Sequence, residues 1–206
     1  MEKLSFEEAM LERHACKIFD ENKKIDSKDL EQILEMGRLS PSSFGMEPTR
    51  FLVIQSQEIK EMLKPVCWNQ RQITTCSDLV VLLTEDEKVK NDKEYMKNMF
   101  TRRGLSDEHT EKYLNLYDNF MSDKDGKTLY DWSAKQAYIA SANMMTYASI
   151  NHIDSCPIEG FEEQKVRDIL NIDKTQNIAL LIAFGYRVKP ASKKYRLDLK
   201  ELVEFR

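Results

Sequence analysis

The chain has 206 residues, of which 41% are hydrophobic and 32% charged, and its formal net charge is -4. That length holds one domain with its own core, and that charge argues against a general nucleic-acid binder, which needs a basic face to neutralise phosphates. Four cysteines and three histidines are scattered without metal-ligand spacing, so no metal site is expected and free thiols suit a reducing compartment.

At the N-terminus, Glu2, Glu7, Glu8 and Glu12 sit among apolar residues, which fits neither a signal peptide nor a basic transit peptide. Ser5 followed by Glu8 predicts a capping box and a short first helix ending near Arg13. Asp26 or Ser27 caps a second helix, with Leu30, Ile33, Leu34 and Gly37 along one face. It stops at Ser40-Pro41-Ser42-Ser43, a loop by composition. Phe51 to Ile54 is a strand, and Ser56 to Lys64 a helix with Ile59, Met62 and Leu63 inward. Leu79 to Leu83 is a continuous Val and Leu run, as in a strand buried on both faces. Ser106 to Phe120 is helical, with Tyr113, Tyr117 and Phe120 on a stripe that belongs to the core. Ser122 to Lys127 forms a charged loop around Gly126.

From Asp131 to Ile150 small residues recur and charge nearly vanishes, the pattern of a helix central to the domain or to a dimer interface. Asp154 to Gly160 is a Pro- and Gly-containing loop. Phe161 to Leu170 is a helix with Val166, Ile169 and Leu170 inward, and Ile178 to Tyr186 a second buried strand. The longest apolar run, Ile178 to Phe184, is too short to span a membrane, and a cytoplasmic protein is expected. The tail, residues 190–206, alternates Leu197 and Leu199 and is too short to fold alone, so it must pack on its own sheet or a partner's. Helices around a small sheet make the class α+β, with residues 1–206 one domain.

No nucleophile elbow, P-loop, GxGxxG or HExxH occurs, so enzymatic chemistry here would come from a bound organic cofactor. Three segments suit one. Arg13 and Lys17 are four residues apart, and on a helix face or in an irregular turn both can converge on an anion. Ser40 to Ser43 offers hydroxyls and backbone N–H groups. Lys194 and Arg196 flank Tyr195, and in an extended tail they point the same way. Taken singly, these are a basic pair complementing a helix dipole, a plain turn and a solvated tail.

Taken together, Arg-His-x-x-Lys-x-Phe at 13–19, Ser-Pro-Ser-Ser at 40–43, Asp-Trp-x-x-Lys-Gln at 131–136 and Pro-Ile-Glu-Gly-Phe at 157–161 resemble, in order and spacing, the bacterial FMN-dependent nitroreductase family. Lys194-Tyr195-Arg196 is similar to that family's basic tail. The resemblance spans nearly the whole chain. It implies an interlocked α+β homodimer with FMN at the interface, residues 190–206 lying on the partner. The implied function moves a hydride from NAD(P)H through flavin N5 to nitroaromatic, quinone or similar planar acceptors. No side chain is then a catalytic acid or base.

By position, the resemblance implies that Arg13, Lys17, Lys194 and Arg196 hold the phosphate and the pyrimidine edge, with His14 and Ala15 beside them. Asn69 and Gln136 match side chains that hydrogen-bond the cofactor. Pro41, Ser42 and Ser43 would approach from the other subunit, Gly45 is a further cofactor-binding position, and Phe44 would border the acceptor or pack at the dimer interface. The loop Pro157, Ile158, Glu159 and Gly160 matches the one whose backbone N–H meets N5. Ala15 stands where relatives often carry Ser or Thr, Gly45 for Asn, Gln72 for Lys and Thr49 for Trp, which thins the polar grip on the cofactor. A flavin or pteridine reductase, a non-catalytic flavin carrier or redox sensor, and a dimer that has lost FMN are the alternatives.

Overall fold

A computed structural model describes residues 2–206. Helix α1 (Phe6–Glu12) opens with the expected capping box, the Ser5 hydroxyl accepting from the Glu8 N–H and the Glu8 carboxylate from the Ser5 N–H. Asp26 caps α2 (Ser27–Arg38), which buries Leu30, Ile33 and Gly37. Strand β1 (Thr49–Ile54) leads to α3 (Gln57–Val66), capped by Ser56, then to the single turn α4 (Gln72–Thr75) and to β2 (Asp78–Thr84). Every residue of β2 is buried, as its unbroken apolar run requires.

After β2 come α5 (Asp86–Asn91), α6 (Lys93–Thr101), α7 (Asp107–Met121) and the long α8 (Gly126–Ile150). The chain ends through β3 (Asp154–Ile158), α9 (Glu163–Leu170), β4 (Asn177–Gly185) and the short α10 (Leu199–Leu202). The sheet runs β1-β2-β4-β3, every pair antiparallel. Opposite the Leu82–Leu83 step the pairing skips Ala179, a bulge that shifts which face β4 presents on either side of it.

The two sheet faces carry separate cores. On one, Leu79, Val81 and Leu83 meet Leu63 of α3, Val166 of α9 and Cys156 of β3. On the other, Val80 and Leu82 meet Leu30 and Ile33 of α2 and Ala137, Met144 and Ala148 of α8. A third cluster binds α5, α6 and α7 to the start of α8 around Phe100, Tyr117 and Trp132.

The fold is α+β, as expected, with three local corrections. Residues 154–158 form a strand rather than a loop; β3 is an edge strand, where Pro157, which has no N–H to donate, is tolerated. On α3, Met62 is 52% exposed and Lys60 is fully buried in its stead. On α7, Tyr113 is 40% exposed and stacks on Phe100, while Tyr117 carries the core contact. The tail does not pack on its own sheet: Leu197, Leu199, Leu202 and Phe205 are all exposed.

Candidate functional site

The site begins where α1 ends. Arg13 leaves helical geometry at φ -56, ψ 127, and the next residues run extended beside β3. Ala15 bridges Ser155 in parallel, and the Cys16 N–H donates to the Ser155 carbonyl at 3.1 Å. Neither a helix face nor an irregular turn is the geometry: in an extended chain alternate residues share a side, so Arg13, Ala15 and Lys17 face one way. His14 and Cys16 turn inward, His14 Nδ1 lying 3.8 Å from Asp154 and Cys16 being buried.

The tail returns to the same place. The Lys194 ammonium donates to the carbonyls of Met10 (2.5 Å) and Arg13 (2.6 Å), closing the carbonyl end of α1. Arg13, Ala15, Pro157, Lys194 and Arg196 line one cavity of about 420 Å³, with Lys193 also on its wall and no carboxylate among its lining residues. Burial, and after it the neighbouring Arg13 and Arg196 charges, hold the Lys194 ammonium below its ordinary pKa. Cations gathered in this way repel one another, and an anion placed between them relieves the repulsion.

Lys17 does not line this cavity but an adjoining one of about 200 Å³, which shares His14 and Ala15 with it, and it donates to the Cys156 thiol at 3.5 Å. Beyond Cys156, the chain Pro157 to Gly160 is held at three points. Pro157 and Ile158 pair with Ile182 and Leu181 of β4. The Glu159 carboxylate accepts from the Tyr138 hydroxyl at 2.6 Å, and burial together with that bond pushes the phenol up from its ordinary pKa. The Gly160 carbonyl accepts from Gln70 at 2.8 Å. A side chain at Gly160 would begin 2.5 Å from the Trp68 ring, so only glycine leaves room there. The N–H groups of Glu159 and Gly160 find no acceptor among the described residues.

Trp68 and Asn69 are both exposed and both left-handed, at φ 55 and 53. Asparagine visits this region readily; a bulky indole does so at a cost.

The remaining expected residues gather elsewhere in the chain. The Ser43 N–H donates to Gln136 at 2.9 Å, and Gln136 donates back to the Trp132 carbonyl of its own helix. Ser40, Pro41, Ser42 and Gln136 line a different cavity, of about 530 Å³. Phe44, at φ 53, packs its ring on Tyr117 and Phe120 at 5.2 and 5.1 Å between centroids, and Gly45, at φ 61, lies under the Arg103 guanidinium. Gln136 therefore sits with the loop and not with the cations.

Trp68, Gln70, Tyr138 and Cys156 belong to the first site and carry no signal of their own in the sequence. Their only sequence cue is adjacency to Asn69, Gln136 and Pro157.

Comparison with known proteins identifies the family. The model described as the Nitroreductase family matches residues 10–186. A protein of Staphylococcus haemolyticus, named as an inferred NAD(P)H nitroreductase, is 42% identical over 204 residues, covering 94% of this chain and 93% of its own. One from Bacillus subtilis, named likewise, is 38% identical over 206 residues, with coverage of 94% and 93%. A crystal structure from Exiguobacterium sibiricum, described as an inferred nitroreductase in complex with FMN, superposes at TM-score 0.86. It shares 24% identity and covers 100% of this chain and 99% of that one, so it shows a common fold.

Proposed function

The chain belongs to the nitroreductase family, an oxidoreductase family, and from that membership we propose an FMN-dependent enzyme that moves a hydride from NAD(P)H to nitroaromatic, quinone or similar planar acceptors. The observation that carries this reading is the cavity walled by Arg13, Lys194 and Arg196 with no carboxylate among its lining residues, together with Lys17 on the adjoining cavity and, just beyond Pro157, two backbone N–H groups that find no acceptor among the described residues. The donor set fits FMN: guanidinium forks and a lysine suit a phosphate, and a peptide N–H suits a ring nitrogen. The FMN-bound Exiguobacterium structure, of the same fold, supports it.

When bound, FMN supplies the two-electron chemistry, with hydride entering and leaving at N5. Arg13, Lys194 and Arg196 hold the phosphate, with His14 and Ala15 supplying backbone beside it. Lys17 meets the N1–O2 edge, where its charge favours reduction by offsetting the negative charge that reduction brings. Glu159, in a position set by Pro157, Ile158 and Gly160, would offer its N–H to N5. Asn69 would supply a side-chain hydrogen bond to the ring edge. Pro41, Ser42, Ser43 and Gly45, with Gln136 behind them, come from a second copy of the chain. Phe44, steadied by Tyr117 and Phe120, borders the acceptor side. With no side chain required as acid or base, an open flavin face would take nicotinamide and acceptor in turn, and ping-pong kinetics would follow.

A visible absorption spectrum before and after anaerobic NADPH or NADH tests this. Flavin bands that bleach support it. Bands that persist point to a carrier, and a protein that stays colourless after FMN is added sinks the cofactor assignment.

A further inference from the structure

Resting on the FMN reading above, the geometry points to Cys156 and Gln72 as positioning residues that hold the Lys17 ammonium and the Glu159–Gly160 backbone in fixed relation. Cys156 is fully buried and Gln72 is 2% exposed, so neither can borrow water as a partner. Their hydrogen bonds form one line. Lys17 donates to Cys156 Sγ at 3.5 Å, and Gln72 Nε2 donates to the same sulfur at 3.7 Å. The thiol hydrogen is directed to the Pro157 carbonyl, also at 3.5 Å, so the sulfur donates once and accepts twice. Gln72 Nε2 also donates to Gln70 Oε1 at 2.8 Å, and Gln70 Nε2 donates to the Gly160 carbonyl at 2.8 Å. One end of the line is the cation assigned to the N1–O2 edge, and the other is the backbone assigned to N5.

The residue types matter. A lysine at position 72 would set a second ammonium beside Lys17 and repel it, whereas the neutral glutamine amide donates to the sulfur without repulsion. The thiol is a soft acceptor whose own hydrogen is already engaged, so the Lys17 charge is fixed and not neutralised. Without this acceptor one of the three ammonium donors loses its partner, the cation is held less closely against the N1–O2 edge, and its charge then favours reduction less.

The test measures two quantities on the holoprotein: the FMN dissociation constant, by flavin fluorescence, and the midpoint potential of the bound flavin. Cys156→Val keeps the volume and removes the acceptor. It is expected to make reduction about tenfold less favourable, a fall of about 30 mV for a two-electron couple. Cys156→Ser keeps one donor and two acceptor positions and restores the potential toward the wild-type value. Gln72→Leu lowers it in the same direction as Cys156→Val. A Cys156→Val protein that binds FMN at the wild-type potential overturns the inference while leaving the FMN reading intact. So does a Cys156→Ser protein that falls as far as Cys156→Val. Wild-type protein that takes up no FMN overturns both.

Discussion

The Lys194 side chain both closes the end of α1 and lines the basic cavity, so its two roles separate by measurement. Lys194→Met removes a charged donor worth ~1.5–3 kcal/mol. FMN binding is expected to weaken tenfold or more, and the urea midpoint of the FMN-free protein to fall modestly through loss of the two helix-end bonds. Because burial and two arginine neighbours hold this ammonium below its ordinary pKa, FMN affinity should also fall earlier with rising pH than for a solvated lysine. Affinity that stays flat to pH 10 would remove Lys194 from the phosphate site. Lys60 is a different case. Its buried ammonium donates to the carbonyls of Cys76 (3.0 Å) and Ser77 (2.7 Å), and burial lowers its pKa. The folded state thus releases this proton at a lower pH than the unfolded chain. Between those two values the unfolded state binds more protons, so stability attributable to Lys60 rises with pH. Lys60→Met loses that slope. Denaturation of the two proteins between pH 8 and 10.5 should show the wild type gaining on the variant, and parallel curves would contradict the assignment.

At the scale of elements, α2 lies against α8 and β1 through the bare backbone of Gly37. An alanine Cβ there would stand 2.7 Å from Phe51 Cζ and 2.9 Å from Met144 Sδ. Helix propensity favours alanine by about 1 kcal/mol, but overpacking a filled site costs about 1–3 kcal/mol. The clash outweighs the propensity, and Gly37→Ala should lower the urea midpoint without altering its slope. A raised midpoint would mean that Met144 moves aside freely. The same scale shows what could be read beforehand. Helix starts were legible because a capping box is local: Ser5 with Glu8 needs no distant partner. The β2 run was legible because burial on both faces leaves a continuous apolar string. Strand β3 was not, since Pro157 signals a loop unless one knows that the strand is outermost. Lys60 misled for a similar reason: only the fold brings the Cys76 and Ser77 carbonyls under it, and without them a methionine is the better inward residue. Cys156 with Lys17 lies across 139 residues and could not be seen from spacing. The cations of the basic cavity were legible only as a set, because each alone is an ordinary charged residue.

For the whole molecule, the decisive fact is that one chain does not bring its own candidate residues together. The cations line one cavity, while Ser40, Pro41, Ser42 and Gln136 line another. Meanwhile the tail leaves Leu197 63%, Leu199 74% and Phe205 93% exposed, apolar side chains that find no cover among the described residues. Both observations are met if the tail lies on a second copy and each site takes its cations from one copy and its serine loop from the other. Removal of residues 197–206 should then leave the fold of each chain intact but yield a monomer by light scattering, with FMN lost although Lys194 and Arg196 remain. A mixed dimer gives a sharper result. One copy carries Lys17→Gln with Lys194→Met, and the other carries Ser42→Asp with Ser43→Asp; neither binds FMN as a homodimer. In the mixed dimer, shared sites place both lesions in one site and leave the other whole, so one FMN binds per dimer and half the activity returns. If each chain built its site alone, every site in the mixed dimer would carry a lesion, and the protein would stay colourless.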